Sequence, residues 1–208
     1  LKIIIQATPQ SCEPVSWGIL HLAHWLTIPT HVTRELLDRI QFCLMPLTNP
    51  DGVALGMSVT NSLGQVPKFE YHLAEKGEGE AAMETQAIWN YFVEKKPDIV
   101  SEIHAHYRWD TMWRTIGWDD SEAIPENLRE KNEHLITAVK AAYPDSHPET
   151  DYSVIDYRKP SHDVYGTREM NGIDILGFWL QAIPETIESH NADVREFIQT
   201  IAWALMNE

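Results

Sequence analysis

The sequence predicts an α/β fold, with a mixed and largely parallel β-sheet covered by helices on both faces. Two observations carry that reading. Short, strongly apolar runs alternate with amphipathic segments through most of the length, as buried strands alternate with covering helices. Turn-rich loops follow the apolar runs at residues 8–12, 48–52 and 104–109, on the sheet edge where open α/β folds place their sites.

Lys2-Ile-Ile-Ile-Gln6 is a β-branched run and reads as a buried strand. Thr8-Pro9-Gln10-Ser11-Cys12 turns the chain into a helix over 13–26, with Pro14 in its first turn and Val15, Ile19, Leu22 and Leu26 on one face. A second helix is expected over 33–39. A second buried strand follows over 40–47, ended by the turn Thr48-Asn49-Pro50-Asp51-Gly52. Residues 56–79 lack periodicity and read as a long surface excursion. Helix returns over 81–95 and strand over 98–104; 121–142 is helical and 143–168 turn-rich. A last buried strand is expected over 173–182 and a closing helix over 192–206.

The 208 residues suffice for one domain, 1–208, without a second. No run approaches the roughly 18 apolar residues needed to cross a bilayer, so the chain reads as soluble, with its compartment left open. Sixteen Lys and Arg against thirty-one Asp and Glu give a formal charge of -15. That field repels phosphate, so neither nucleic acid nor an anionic membrane is an expected partner. Cys12 and Cys43 supply no disulfide framework; one pairing is open to them, and two buried thiols are the commoner arrangement.

The chemistry concentrates in Glu102-Ile-His-Ala-His-Tyr107, where a buried strand ends in two histidines. On a strand His104 and His106 share a side, about 7 Å apart. Neutral imidazole is a good zinc ligand, and hydrogen-bonded structural histidines are the competing reading. Glu13 stands where the first strand passes into the first helix, a place that favours a carboxylate whatever its function. His21 and His24 lie three apart on that helix with no Glu near them, and read as surface or core-edge residues.

In order, Gln10-Ser-Cys-Glu13-Pro14, Leu47-Thr-Asn-Pro-Asp-Gly52 and Asp98-Ile-Val-Ser-Glu-Ile-His104 resemble the zinc metallocarboxypeptidases, from Leu1 to the end of the chain. The resemblance implies a carboxypeptidase-like fold and zinc as cofactor. It implies Glu13 and His104 as two of three protein ligands, with Gln10 at the position of the first ligand, where the family has His. An amide oxygen coordinates zinc more weakly than imidazole does. The family clamps a terminal carboxylate through Asn-Arg after a Gly-rich loop. Here Asn61-Ser-Leu-Gly64-Gln-Val-Pro67-Lys68 occupies that stretch, so Asn61 and Lys68 become the substrate-binding candidates. The family's general base, a Glu on a late strand, falls on Gln181, which takes no proton at neutral pH. Glu185 and Glu169 are relocated alternatives. Tyr165 and Tyr157 are the candidates for the tyrosine that closes over substrate.

The implied activity is zinc-dependent hydrolysis of an amide bond near a peptide C-terminus, on a peptide or small acidic substrate. The alternative, drawn from Gln10 and Gln181 together, is an impaired pseudoenzyme that binds such a ligand without cutting it. Trp109, Trp113 and Trp118 follow the histidine strand and read either as core or as the aromatic wall of a pocket.

Overall fold

The computed structural model describes residues 1–67, 81–105, 114–118, 124, 126–143, 152–154, 175–182 and 186–208. The strands are β1 (Lys2–Ala7), β2 (Gln41–Met45), β3 (Ile99–Ala105), β4 (Arg114–Trp118), β5 (Tyr152–Val154) and β6 (Leu176–Ala182). The helices are α1 (Ser16–Thr27), α2 (His31–Arg39), α3 (Pro50–Leu55), α4 (Met83–Lys95), α5 (Glu126–Ala142) and α6 (Ile187–Met206).

One six-stranded sheet runs in the order β2-β1-β3-β6-β4-β5. Its pairings are parallel except that of β4 with β6, which is antiparallel. The expected mixed, largely parallel sheet is therefore the one observed. Alternation along β1 and β3 divides their side chains between two cores. Ile3, Ile5, Ile99 and Ile103 pack with residues of α1, α2, α5 and α6 on one face. Ile4 and Val100 meet Ile88, Trp89 and Phe92 of α4 on the other. Burial on both faces explains why these strands read as continuous apolar runs.

Four departures from the sequence reading have physical reasons. Helix α1 begins at Ser16 rather than near Glu13, because Glu13 closes a turn with Gln10 (N–O 3.1 Å) and Val15 takes the N-cap position. The Asn-Pro-Asp-Gly turn is the start of α3, with Asn49 as N-cap accepting from the Gly52 N–H. Helix α6 starts five residues early because Thr186 and Ser189 form a reciprocal capping box. Strands β4 and β5 were not anticipated: Arg114-Thr-Ile-Gly-Trp118 has strand-forming residues but is short, and β5 is three residues long. Cys43 is buried as expected, whereas Cys12 is exposed. Among the described residues no helix is long and apolar enough to cross a membrane.

α6 packs against α1 and α5. Gly18 permits the close approach of α1: a Cβ there would lie 2.7 Å from both His190 Nε2 and Val194 Cγ2. His190 itself is 2% exposed. Burial pushes its pKa below the ordinary 6.5, and the backbone of Val15 opposes that only in part. The fold thus accepts the neutral imidazole. Its contribution to stability is whole above the unfolded value near 6.5 and is lost as pH falls through the lowered folded value. Urea midpoints are expected to fall between pH 7 and 5, and His190→Gln to flatten part of that dependence; an unchanged slope would remove His190 from the account.

Candidate active site

The site is built where the β1–α1 loop meets the C-terminal end of β3. The loop is held from outside by backbone: Cys12 N–H donates to Ser58 O at 3.0 Å and Ser11 Oγ to Met57 O at 2.7 Å. Asn49 staples it from beneath. Its Nδ2 donates to Pro9 O at 2.9 Å and Thr60 O at 3.2 Å, while Oδ1 accepts from Gly52 N at 2.9 Å. A Cβ on Gly52 would lie 2.6 Å from Thr60 O, so glycine is required there by close approach. The Asn-Pro-Asp-Gly motif therefore acts by joining two loops around Glu13.

Glu13 turns inward, away from α1. Its Oε2 accepts from the Ala105 N–H at 2.8 Å, at the last residue of β3. His104 Nδ1 faces the same carboxylate, 3.3 Å from Oε2 and 3.5 Å from Oε1. The opposite ring nitrogen, Nε2, lies 2.7 Å from Oε1 of Glu102. Glu102 Oε2 in turn accepts from Gln6 Nε2 at 2.6 Å. Gln6 and Glu102 are register partners on β1 and β3, and both are fully buried.

Trp179 of β6 completes the box around His104, meeting its ring edge-on with centroids 5.9 Å apart. The indole has room because Gly117 is its register partner on β4; a Cβ on Gly117 would lie 1.9 Å from Trp179 Nε1. Gln181 is the register partner of His104 across β3 and β6 and is half-buried. Gln10 is also half-buried, its carbonyl closing the turn to Glu13. Asn61 is 2% exposed. Its amide is engaged by Gln65, Leu63 N and Glu84 of α4, which makes it the staple of its own loop. Lys68, His106, Trp109, Trp113, Tyr157, Tyr165, Glu169 and Glu185 lie outside the described residues. Trp118 is in the core, with Lys140 Nζ 5.1 Å from its ring centroid. Beside Glu13 a cavity of about 570 Å³ is walled by Cys12, Trp17, Leu20, Leu47 and Val53.

Glu13 and His104 suit a divalent metal at two points. Two bonds of about 2.0–2.1 Å at a tetrahedral angle set donor atoms roughly 3.3–3.4 Å apart, and Nδ1 and Oε2 stand 3.3 Å apart. Among the described residues no third His, Cys, Asp or Glu joins them as a metal set. Gln10 adjoins Glu13 through its backbone carbonyl, which closes the turn. The sequence singles out Glu13 and His104, which the structure brings within 3.3 Å of each other, and gives no role to Glu102, Gln6, Trp179 or Gly117. The signal for Glu102 was present, since a residue two before His104 on a strand shares its face. The others needed the register.

The fold is like that of solved metallocarboxypeptidases. A metallocarboxypeptidase from Burkholderia cenocepacia superposes with a TM-score of 0.74 at 20% identity, over 99% of this chain and 57% of that one. One from Pseudomonas aeruginosa, in complex with (2-guanidinoethylmercapto)succinic acid, gives 0.73 at 17% identity over 98% and 56%. Carboxypeptidase A from Helicoverpa armigera gives 0.64 at 14% over 99% and 61%. The chain thus spans less than two thirds of each of these structures. No protein-family model and no curated protein matches the sequence.

Gly117→Ala is expected to force the Trp179 indole off β4 and lower stability by about 1–3 kcal/mol, as overpacking does. Urea unfolding measures this, and an unchanged midpoint would show that the indole has another resting place.

Proposed function

We propose that the chain is a metal-dependent hydrolase acting on an amide bond near a peptide C-terminus, with residues 1–208 forming one metallocarboxypeptidase-like domain. The observation that carries this reading is the convergence of the Glu13 carboxylate and His104 Nδ1, 3.3 Å apart at the rigid end of β3. In this reading Glu13, His104 and the Gln10 amide hold zinc. The metal, when bound, supplies Lewis acidity and lowers the pKa of a coordinated water.

The remaining work falls to the chain's own residues. Lys68 receives the substrate carboxylate as a point charge. Asn61 contributes by fixing the loop that leads to it. Tyr165 closes over the bound ligand. The succinic acid derivative held by the Pseudomonas aeruginosa protein supports a small acid or peptide terminus as the ligand class. Gln181, the register partner of His104, takes no proton at neutral pH, so Glu185 is the general-base candidate. Neither nucleic acid nor membrane enters this reading.

The register of Gln181 also favours a second reading, a protein that binds a peptide or small acid without cutting it. One experiment separates the two: zinc content by mass spectrometry, with hydrolysis of C-terminal peptides, for the parent, Gln10→His and His104→Ala. The hydrolase reading expects about one zinc per chain, chelator-sensitive turnover, and loss of both in His104→Ala. Zinc retained only by Gln10→His, with no turnover in the parent, supports the binding protein. No zinc in any of the three overturns the metal site.

A further inference from the structure

We propose that the groove between α1, α2 and α6 is a binding site for a small aromatic monocarboxylate, held by Arg195 and Gln199 and walled by Trp25 and Trp203. The groove is separate from the site around Glu13 and His104, and its ligand is independent of the proposed function.

The groove has a volume of about 490 Å³. Small-molecule sites span roughly 300–1,000 Å³. Trp25 stands in the last turn of α1, about 14 Å along the helix from the end nearest Glu13. Thr30 and Val32 come from the start of α2, and α6 supplies the remaining wall. On α6, Arg195, Gln199 and Trp203 recur every four residues and so line up as one stripe. Trp25, Val32 and Trp203 pack against the core yet stay half-buried, which leaves part of each side chain to the groove. Two indoles offer a flat ring a large apolar surface and a preference for aromatic contact.

The polar groups decide the charge of the ligand. Thr30 Oγ1 is occupied as an N-cap, accepting from Thr33 N at 3.1 Å, and Thr200 Oγ1 donates to Glu196 O at 2.9 Å. The side chains of Arg195 and Gln199 make no hydrogen bond or ion pair with any described residue. One turn apart, they bring a guanidinium and an amide to the same groove. A guanidinium fork matches a carboxylate with two parallel donors, and an amide NH₂ adds a further one. Glu196 lies exposed in the same wall and disfavours a second negative charge, so a monoanion fits better than a phosphate or a diacid. A second copy of the chain would bring a charge of -15 against an equal charge, whereas a monoanion meets that field with a single one.

The test titrates the full chain, labelled with nitrogen-15, with indole-3-acetate at neutral pH and follows the indole N–H signals by NMR. Trp25→Phe and Trp203→Phe assign the two signals of the groove. Both are expected to shift saturably, with a dissociation constant on the order of 1 mM or below for a ligand of this size. The neutral isostere indole-3-acetamide is expected to bind about tenfold more weakly, because it forfeits the charge-assisted pair. Arg195→Gln is expected to bring the acid down to the affinity of the amide and to leave the amide unchanged. Equal affinity for acid and amide in the parent overturns the inference without any substitution. Acid binding unchanged in Arg195→Gln overturns it as well. So does the absence of a saturable shift at the two groove signals, including the case in which only Trp179, beside His104, responds. Sedimentation of the parent as a dimer that Trp203→Ala dissociates would give the groove to a second copy and likewise overturn it.

Discussion

The arrangement at the sheet edge depends on one hydrogen bond, from the Ala105 N–H to the Glu13 carboxylate. It joins a loop that follows the first strand to the last residue of the third, across a sequence separation of 92. A buried bond of this charge-assisted kind contributes about 1.5–3 kcal/mol. Its larger effect is geometric. The carboxylate that satisfies the backbone of β3 is the one that His104 faces, so the strand end and the imidazole share a single anchor. The Asn49 staple and the Ser58 and Met57 contacts hold the loop in the position that this bond requires.

The environment around His104 comes from three strands in register. Gln6, Glu102 and Trp179 occupy one row across β1, β3 and β6, and each restricts the next. Such a row is stiffer than a loop site, because moving one member means moving a strand packed on both faces. Charge on the rest of the surface has little bearing here, since Glu102 and His104 are nearly sealed from solvent.

What the sequence disclosed follows from the range of the forces involved. Ile3, Ile4 and Ile5, or Ile99 and Val100, are apolar neighbours along the chain, so β1 and β3 were legible, and with them the fold class. Asn49 and Gly52 were recognisable as a turn, though their role in joining Pro9 to Thr60 was not, because the partners are distant in sequence. β4 was hidden for a similar reason. Arg114–Trp118 is five residues long, and its place is set by an antiparallel pairing with β6, more than fifty residues on. Gly117 has no local signal at all; its lack of a side chain has meaning only beside Trp179. Glu13 was legible as a carboxylate between β1 and α1 and His104 as an imidazole near a strand end, and their mutual approach was not.

The position of β6 has a consequence for how the chain is made. Among the described residues it is the last strand in the sequence, yet it sits between β3 and β4. Until residues 176–182 have been synthesised, β3 and β4 each present an open edge, and no shorter nascent chain can close the sheet. Unpaired apolar edges are prone to join other chains. A ribosome that stalls before this point would therefore release a product with Glu13 and His104 already made but the sheet divided in two.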